Sequence, residues 1–366
     1  MAYNSFSMRI TSSTTVSVRS FAKINLGLYI GAPREDGFHE LRTVYQTIAL
    51  HDVIRVGVDR KSGRGGIEIV CDDPQVPLDS SNTCWRMAER VMGELGAKVR
   101  VRIEIEKRLP VQGGMGAASS NAVATMIGLE LALKKKLSAT ARLRIAAEVG
   151  SDLPLFLVGG TVLGVGRGEE VYPVADLPAI STVIVTPEVG VSTPQAFKDW
   201  DVLVASGLCG DGALPRLSGG EPHHTSKDHT SKDQLTRLAS SDRLFEVGCA
   251  LSAWLSNSGS PNTGASAKGG SRAGKLLSDL VRTGIENDFE RVVFPKYPEL
   301  RDIKGALERV GSNYASLSGS GSTLYGLFRS PAEAAKAAER LRKQGLKAVA
   351  TRMLTRRQYW KRVPDC

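Results

Sequence analysis

The sequence predicts an α+β protein of about two domains, and three observations bear on that organisation. Its 366 residues are enough for about two domains, each with its own core. Runs with the period-two alternation of half-buried strands stand beside a run of strong helix formers. A stretch poor in apolar residues, from about Ala205 to Ala273, interrupts the second half.

Met1 to Thr15 is rich in Ser and Thr and reads as a disordered leader, placed at 1–14. Val16 to Ile30 alternates strongly enough for one or two strands, on which Lys23 and Asn25 share a face opposite the apolar one. Such a polar pair suits either substrate contact or a solvent-exposed strand face. Arg34 to Leu41 then reads as a turn presenting Phe38, which can stack on a base or close a core, beside His39, which can hydrogen-bond.

The next strand is marked by Val99, Val101, Ile103 and Ile105 alternating with Arg100, Arg102, Glu104 and Glu106, and Pro110 ends it. From Ala122 to Lys134 the residues are helix formers, so strand, small-residue loop and helix follow one another. The loop, with Gly113, Gly114, Gly116, Ala117 and Ala118, lets backbone approach a bulky anion, and the helix supplies unpaired N–H groups and the positive end of its dipole. Ser119 and Ser120 add hydroxyls that can cap the helix, donate to phosphate oxygens or reach a magnesium ion. The loop has neither a Gly-Lys-Ser/Thr ending nor a complete G-x-G-x-x-G.

Two shorter segments stand out further on. In Gly150 to Leu157 a lone carboxylate, Asp152, precedes an apolar run with Pro154 in its first turn; it can cap a short helix or serve as the base that deprotonates an attacking hydroxyl. Leu317 to Thr323 is a small-residue turn leading into an apolar strand, Leu324 to Phe328, and can pack against another glycine-rich loop.

Composition excludes several classes. Apolar residues at 42% and charged residues at 23% are ordinary for a globular protein, and no run approaches the ~18 apolar residues of a membrane span or a signal-peptide core. The five scattered cysteines, Cys71, Cys84, Cys209, Cys249 and Cys366, have no metal-ligand spacing and point to a reducing cytoplasm. The net charge of +10 suits a nucleic-acid binder, an enzyme for anionic substrates or a solvated surface; Lys134 to Lys136 and the tail with Arg356, Arg357, Lys361 and Arg362 carry part of it. Tyr359 and Trp360 in that tail allow base stacking, against the commoner packed terminal element with a solvated charged face. Within the interruption, HTSKD repeats at His224 to Asp228 and His229 to Asp233, flanking a helix expected at Gln234 to Leu255; His223, His224 and His229 lack accompanying acidic or cysteine ligands and read as a solvated loop.

Taken together, Ala22-Lys23-Ile24-Asn25-Leu26, LPVQGGMGAASSNA from Leu109, Ser151-Asp152-Leu153-Pro154 and SLSGSGSTLYGLF from Ser316 make the chain similar to the GHMP kinase superfamily. The string from Phe21 to Asp52, the Gly160 to Glu169 segment, Val191-Ser192-Thr193 with Phe197, and Asn287-Asp288-Phe289-Glu290 ahead of Tyr297-Pro298 resemble its branch acting on a cytidine-diphosphate-bearing methylerythritol in non-mevalonate isoprenoid synthesis. The resemblance spans most of the chain outside the leader and the insertion.

It implies an N-terminal ATP-binding lobe at 15–175 of the ribosomal-protein-S5-domain-2-like type. It also implies a C-terminal substrate lobe at 176–355, a ferredoxin-like α/β sandwich, followed by a basic tail at 356–366. The implied reaction is magnesium-dependent transfer from ATP to the 2-hydroxyl, with Asp152 as base and Lys23 holding carboxylate and hydroxyl in register. ATP would lie on Pro110, Val111, Gln112, Gly113, Gly114, Met115, Gly116, Ala117, Ala118, Ser119 and Ser120, with Asn82 and Lys107 at the adenine and Ser120 as a magnesium ligand. Phe38 and Phe197 would sandwich the cytosine, His39 read its edge and Asn25 contact the polar arm of the substrate.

The loop departs from the family pattern at Gln112, Ala117 and Ala118, where glycine is more frequent and any positive φ would strain alanine, and Phe38 replaces the usual tyrosine. A small-molecule substrate, no nucleic acid, no membrane and a monomer or weak homodimer are expected. The competing readings are a homoserine- or mevalonate-type kinase and an RNA-binding module; Lys23 with Asp152 argues against the latter, and the aromatic pair argues for a nucleotide-bearing substrate.

Overall fold

The computed structural model describes residues 14–60, 65–111, 113–206 and 285–365. The leader, Gln112, the three histidines of the insertion, most of the insertion itself and Cys209, Cys249 and Cys366 therefore lie outside the described residues.

Two long strands, β1 (Thr14–Pro33) and β2 (His39–Asp59), form an antiparallel hairpin around the expected turn. The alternating segment is thus one strand of 20 residues. On its other edge β2 pairs antiparallel with β4 (Arg100–Glu106) through Val53 to Asp59, then with β5 (Thr161–Val165) through Thr43 to Gln46. A parallel strand, β3 (Gly66–Val70), and an antiparallel one, β6 (Glu170–Pro173), complete this six-stranded sheet.

Helix α1 (Thr83–Glu94), connecting β3 to β4, packs with α2 (Ala117–Leu133), α3 (Ala139–Val149) and α4 (Leu153–Val158) into the first core. Most of α2 is buried, as expected for a helix apolar on nearly all sides.

The second sheet, antiparallel, has the order β10-β7-β9-β8, with β7 (Ser181–Val185), β8 (Tyr314–Leu317), β9 (Leu324–Phe328) and β10 (Ala348–Arg352). Its core is closed by α5 (Thr193–Ala205), α6 (Glu290–Lys296), α7 (Pro298–Arg309) and α8 (Pro331–Lys343). A third apolar cluster, including Ile24, Ile48, Leu109, Met115, Ile184 and Tyr325, joins the two sheets.

The tail is a packed terminal element with a charged face, the commoner reading of its composition. Thr355 and Gln358 form a capping box that starts α9 (Arg356–Arg362), and this helix returns to the first lobe. The Tyr359 hydroxyl donates to the Phe156 carbonyl at 2.7 Å, Trp360 Nε1 donates to the Val158 carbonyl at 3.0 Å, and Arg19 N donates to the Val363 carbonyl at 2.8 Å. The aromatic pair of the tail is thus engaged with α4, while Arg357 and Lys361 stay exposed. Because Tyr359 is buried in the first core, Tyr359→Ala is expected to lower the free energy of urea unfolding by about 3–5 kcal/mol. A change below about 1 kcal/mol, within the usual range for surface sites, would show the helix to be a dispensable appendage.

Candidate active site

The β1–β2 ladder slips between Phe21 and Lys23 and again between Asn25 and Gly27. Such irregularities re-aim side chains, and here they bracket the two polar residues singled out on this strand. Lys23 and Asn25 are 4% and 2% exposed, so the solvent-exposed strand face is excluded. The Lys23 ammonium donates to Asn25 Oδ1 at 2.7 Å and lies 3.5 Å from Asp152 Oδ2. Asn25 Nδ2 donates to the Thr43 hydroxyl at 2.7 Å, which donates to the Gly27 carbonyl at 2.8 Å. With one bond made at each end of its amide, Asn25 orients the lysine and keeps a second N–H and a second lone pair for a further partner.

Asp152 occupies the position before α4, yet its side chain makes no capping bond. Its Oδ1 instead accepts from the Tyr45 hydroxyl at 3.0 Å. The Asp152 side chain is 34% exposed, so the carboxylate borders open space while the ammonium behind it does not. Burial, and then the negative charge of Asp152, push the Tyr45 phenol well above its ordinary range and keep it a donor. Tyr45 was missed in the sequence; its signal is the strand register, which sets it opposite Asn25.

The phosphate-loop candidate leaves β4 and runs into α2 with Gly116 at the N-cap and no side-chain cap, leaving the first-turn N–H groups for an anion. Gly114 and Gly116 have φ of +75° and +67°. A Cβ at Gly114 would lie 2.3 Å from the Ser318 carbonyl oxygen, and one at Gly116 would lie 3.2 Å from Lys23 Cε. Ala117 and Ala118 are helical, so the alanines that depart from the family pattern carry no positive-φ strain.

The turn between β8 and β9 docks on this loop, as its small residues allowed. Ser318 Oγ donates to the Gly114 carbonyl at 3.0 Å, and Thr323 N donates to the Gly113 carbonyl at 3.2 Å. Met115, buried, accepts from Lys23 N through its carbonyl at 3.0 Å. Pro110, Val111 and Gly113 line a cavity of 360 Å³ whose far wall is the loop after β7.

Several expected ligand contacts are engaged inside the protein. Ser120 is buried, and its hydroxyl donates to the Phe21 carbonyl at 2.7 Å and lies 2.7 Å from Ser20 Oγ. It ties α2 to β1, and Ser119 is the half-exposed hydroxyl of this turn. Asn82 caps α1 by accepting from Cys84 N and donates to the Pro77 carbonyl at 2.6 Å. Lys107 donates to Asp52 Oδ2 at 2.8 Å and to the Leu109 carbonyl.

The aromatic group lies at the far end of β1 and β2. Phe197 stacks on His39 with centroids 5.0 Å apart at 14°, while Phe289 meets Phe197 edge-on. His39 Nε2 pairs with Asp201 Oδ1 at 2.6 Å. Phe38 is 52% exposed, with the Arg167 guanidinium over its ring. Phe197 therefore faces His39, and the expected pairing of Phe38 with Phe197 is not preformed.

A carboxylate braced by a buried lysine, beside an uncapped helix start, defines a phosphotransferase of small alcohols. The chain belongs to the GHMP kinase family: residues 82–160 match the GHMP kinases N terminal domain and 269–347 the GHMP kinases C terminal domain. Within the family, a relative named 4-diphosphocytidyl-2-C-methyl-D-erythritol kinase in Solibacter usitatus (strain Ellin6076) is 34% identical over 312 residues, covering 85% of this chain and 81% of that one. One of the same name in Arthrobacter sp. (strain FB24) is 31% identical over 342 residues, covering 92% of each.

A crystal structure of 4-(cytidine 5'-diphospho)-2C-methyl-D-erythritol kinase superposes with a TM-score of 0.62 at 26% identity, over 92% of this chain and 98% of that one. A homoserine kinase from Cytophaga hutchinsonii, 20% identical with a TM-score of 0.61 over 93% and 95%, shares the fold.

Loop docking depends on the glycine that meets Ser318. Gly114→Ala is expected to cost about 2–4 kcal/mol in urea unfolding, whereas Ala118→Gly, at an exposed helical position, should cost about 1 kcal/mol or less. Equal costs for the two would show that the contact at Gly114 does not constrain the loop.

Proposed function

We propose that the chain transfers the γ-phosphoryl group of ATP to the 2-hydroxyl of 4-(cytidine 5'-diphospho)-2-C-methyl-D-erythritol, yielding ADP and the 2-phosphate in non-mevalonate isoprenoid synthesis. The observation that carries this reading is the Lys23–Asp152 pair at 3.5 Å, set against the loop by the bond from Lys23 N to the Met115 carbonyl. The shared name of relatives that match most of the chain supports the choice of acceptor.

In this reading the substrate 2-hydroxyl meets the exposed edge of Asp152. As its oxygen bonds to the γ-phosphorus, its proton passes to the carboxylate and the bond to the β–γ bridging oxygen breaks. The Tyr45 hydroxyl and Lys23 hold the two carboxylate oxygens, so the base keeps one orientation. The first-turn N–H groups of α2 and the positive end of its dipole take the phosphate charge. Ser119, a half-exposed hydroxyl in the first turn of α2, is the residue that would hold a magnesium ion, whose charge would offset that of the phosphates.

The cytosine is assigned to the aromatic group, with Phe197 as its inner face, Phe38 as its outer face and His39 at its edge. A flat stack already present between Phe197 and His39 supports a site for a planar ring. A homoserine- or mevalonate-type acceptor offers no such ring.

Purified full-length chain given ATP, magnesium and a panel of alcohols should phosphorylate the cytidine-diphosphate substrate; turnover of homoserine or mevalonate in its place would overturn the acceptor. Asp152→Asn should lower kcat by about 10²–10⁴ with ATP affinity nearly intact, and a variant of near-normal rate would remove Asp152 from the role of base. Phe197→Ala should weaken binding of the cytidine substrate by about 1–3 kcal/mol in titration calorimetry and leave ATP binding unchanged. Loss of ATP binding instead would place the stack elsewhere in the cycle.

A further inference from the structure

We propose that Asp52 is the positioning residue of the phosphate loop, a buried carboxylate that clamps both flanks of the loop and sets its register to the strand carrying Lys23. The inference rests on the assignment of ATP to that loop.

Asp52 lies on β2 with none of its side chain exposed. Its Oδ1 accepts from Arg108 N and Leu109 N, both at 2.7 Å, and its Oδ2 accepts from Lys107 Nζ at 2.8 Å and Asn121 Nδ2 at 3.0 Å. Two bonds to each oxygen fill the roughly four acceptor sites of a carboxylate. Three of the donors belong to consecutive residues just upstream of Pro110, and the fourth sits in the opening turns of α2.

One side chain thus fixes both places between which the loop is strung. The clamp continues to β1: Asn121 Oδ1 and the Ser120 hydroxyl both lie within 2.7 Å of Ser20 Oγ, and Ser120 donates to the Phe21 carbonyl. Ser20 and Phe21 directly precede the ladder slip at Lys23. Every side chain in this chain of bonds is buried, apart from the half-buried Lys107, where a lost partner is not replaced cheaply by water.

An amide in place of the carboxylate still accepts from one pair of N–H groups. Its NH₂, however, faces the Lys107 ammonium and the Asn121 amide, a donor set against donors. Asp52→Asn should therefore raise KM for ATP about tenfold, with kcat at saturating ATP within about threefold and KM for the cytidine substrate within about twofold. Asn121→Ala, which releases the helix side of the clamp together with the bond from Ser20 but leaves the Lys107 to Leu109 side intact, should raise KM for ATP about threefold with the same selectivity.

ATP binding is read independently by titration calorimetry without the acceptor, and folding by thermal melts. Unchanged ATP affinity in the folded variants would overturn the clamp, as would parallel losses for both substrates, the mark of general destabilisation. Should Asp52→Asn fail to fold, Asn121→Ala decides by the same criteria. Unaltered chain that binds no ATP would overturn the kinase reading and the clamp with it; normal binding there with undiminished binding in the variants would overturn the clamp alone.

Discussion

The pairing of β1 with β2 is the constraint on which the rest of the molecule depends. Along its length β1 supplies Val18 and Phe21 to the first core, Ala22, Ile24 and Leu26 to the seam, and Leu28 and Ile30 to the second core. A strand that serves three apolar clusters cannot slide by one residue without exchanging its apolar set with the polar side chains of its other buried face. That rigidity lets two local slips in the ladder set Lys23 and Asn25 in place, because the strand on either side is pinned.

The same strand also positions the second lobe's contribution. Leu28 pairs with Asn287, Asp288 N donates to the Leu28 carbonyl, and Asp288 Oδ2 accepts from Ile30 N. Asn287 then turns its amide to the carbonyls of Leu317 and Gly319, at 2.9 and 2.8 Å, and so holds the small-residue turn that docks on the glycine-rich loop before α2. Loop, turn and lysine therefore share one reference element, and their mutual distances pass through few intermediates. Preorganisation of this kind is what phosphoryl transfer asks of a protein, since its chemistry is mostly positioning and charge.

Much of this arrangement was legible in the sequence because it was written in local pattern. The strand, the small-residue loop and the helix after it change period at Pro110, and the second glycine-rich turn runs into an uninterrupted apolar strand. What stayed hidden was the partnership of buried polar groups. Asp52 and Tyr45 sit in an alternating strand where nothing local distinguishes a solvated polar residue from an enclosed one; the difference comes from β4, β5 and α2 closing over them. For the same reason the internal bonds of Asn25, Asn82, Lys107 and Ser120, residues expected at ligands, were not legible in local pattern. The tail was legible as a packed terminal element with a charged face, but nothing local told that α9 returns to the first lobe.

The uneven exposure of the central pair has a chemical consequence. Lys23 is enclosed by Tyr45, Asn25 and the glycine-rich turn, with its ammonium 5.6 Å from the Tyr45 ring centroid, while Asp152 opens to the cleft. In the proposed reaction the substrate would therefore meet the carboxylate and not the ammonium, whose charge would be felt through the carboxylate it holds. A buried charge left without its partner is costly, so the lysine stays paired and its position is set before any ligand arrives. Asn25 serves that end by accepting from the ammonium with an oxygen that carries no charge to compete for the proton. The geometry thus separates the partly exposed carboxylate, braced from two sides, from the enclosed ammonium behind it.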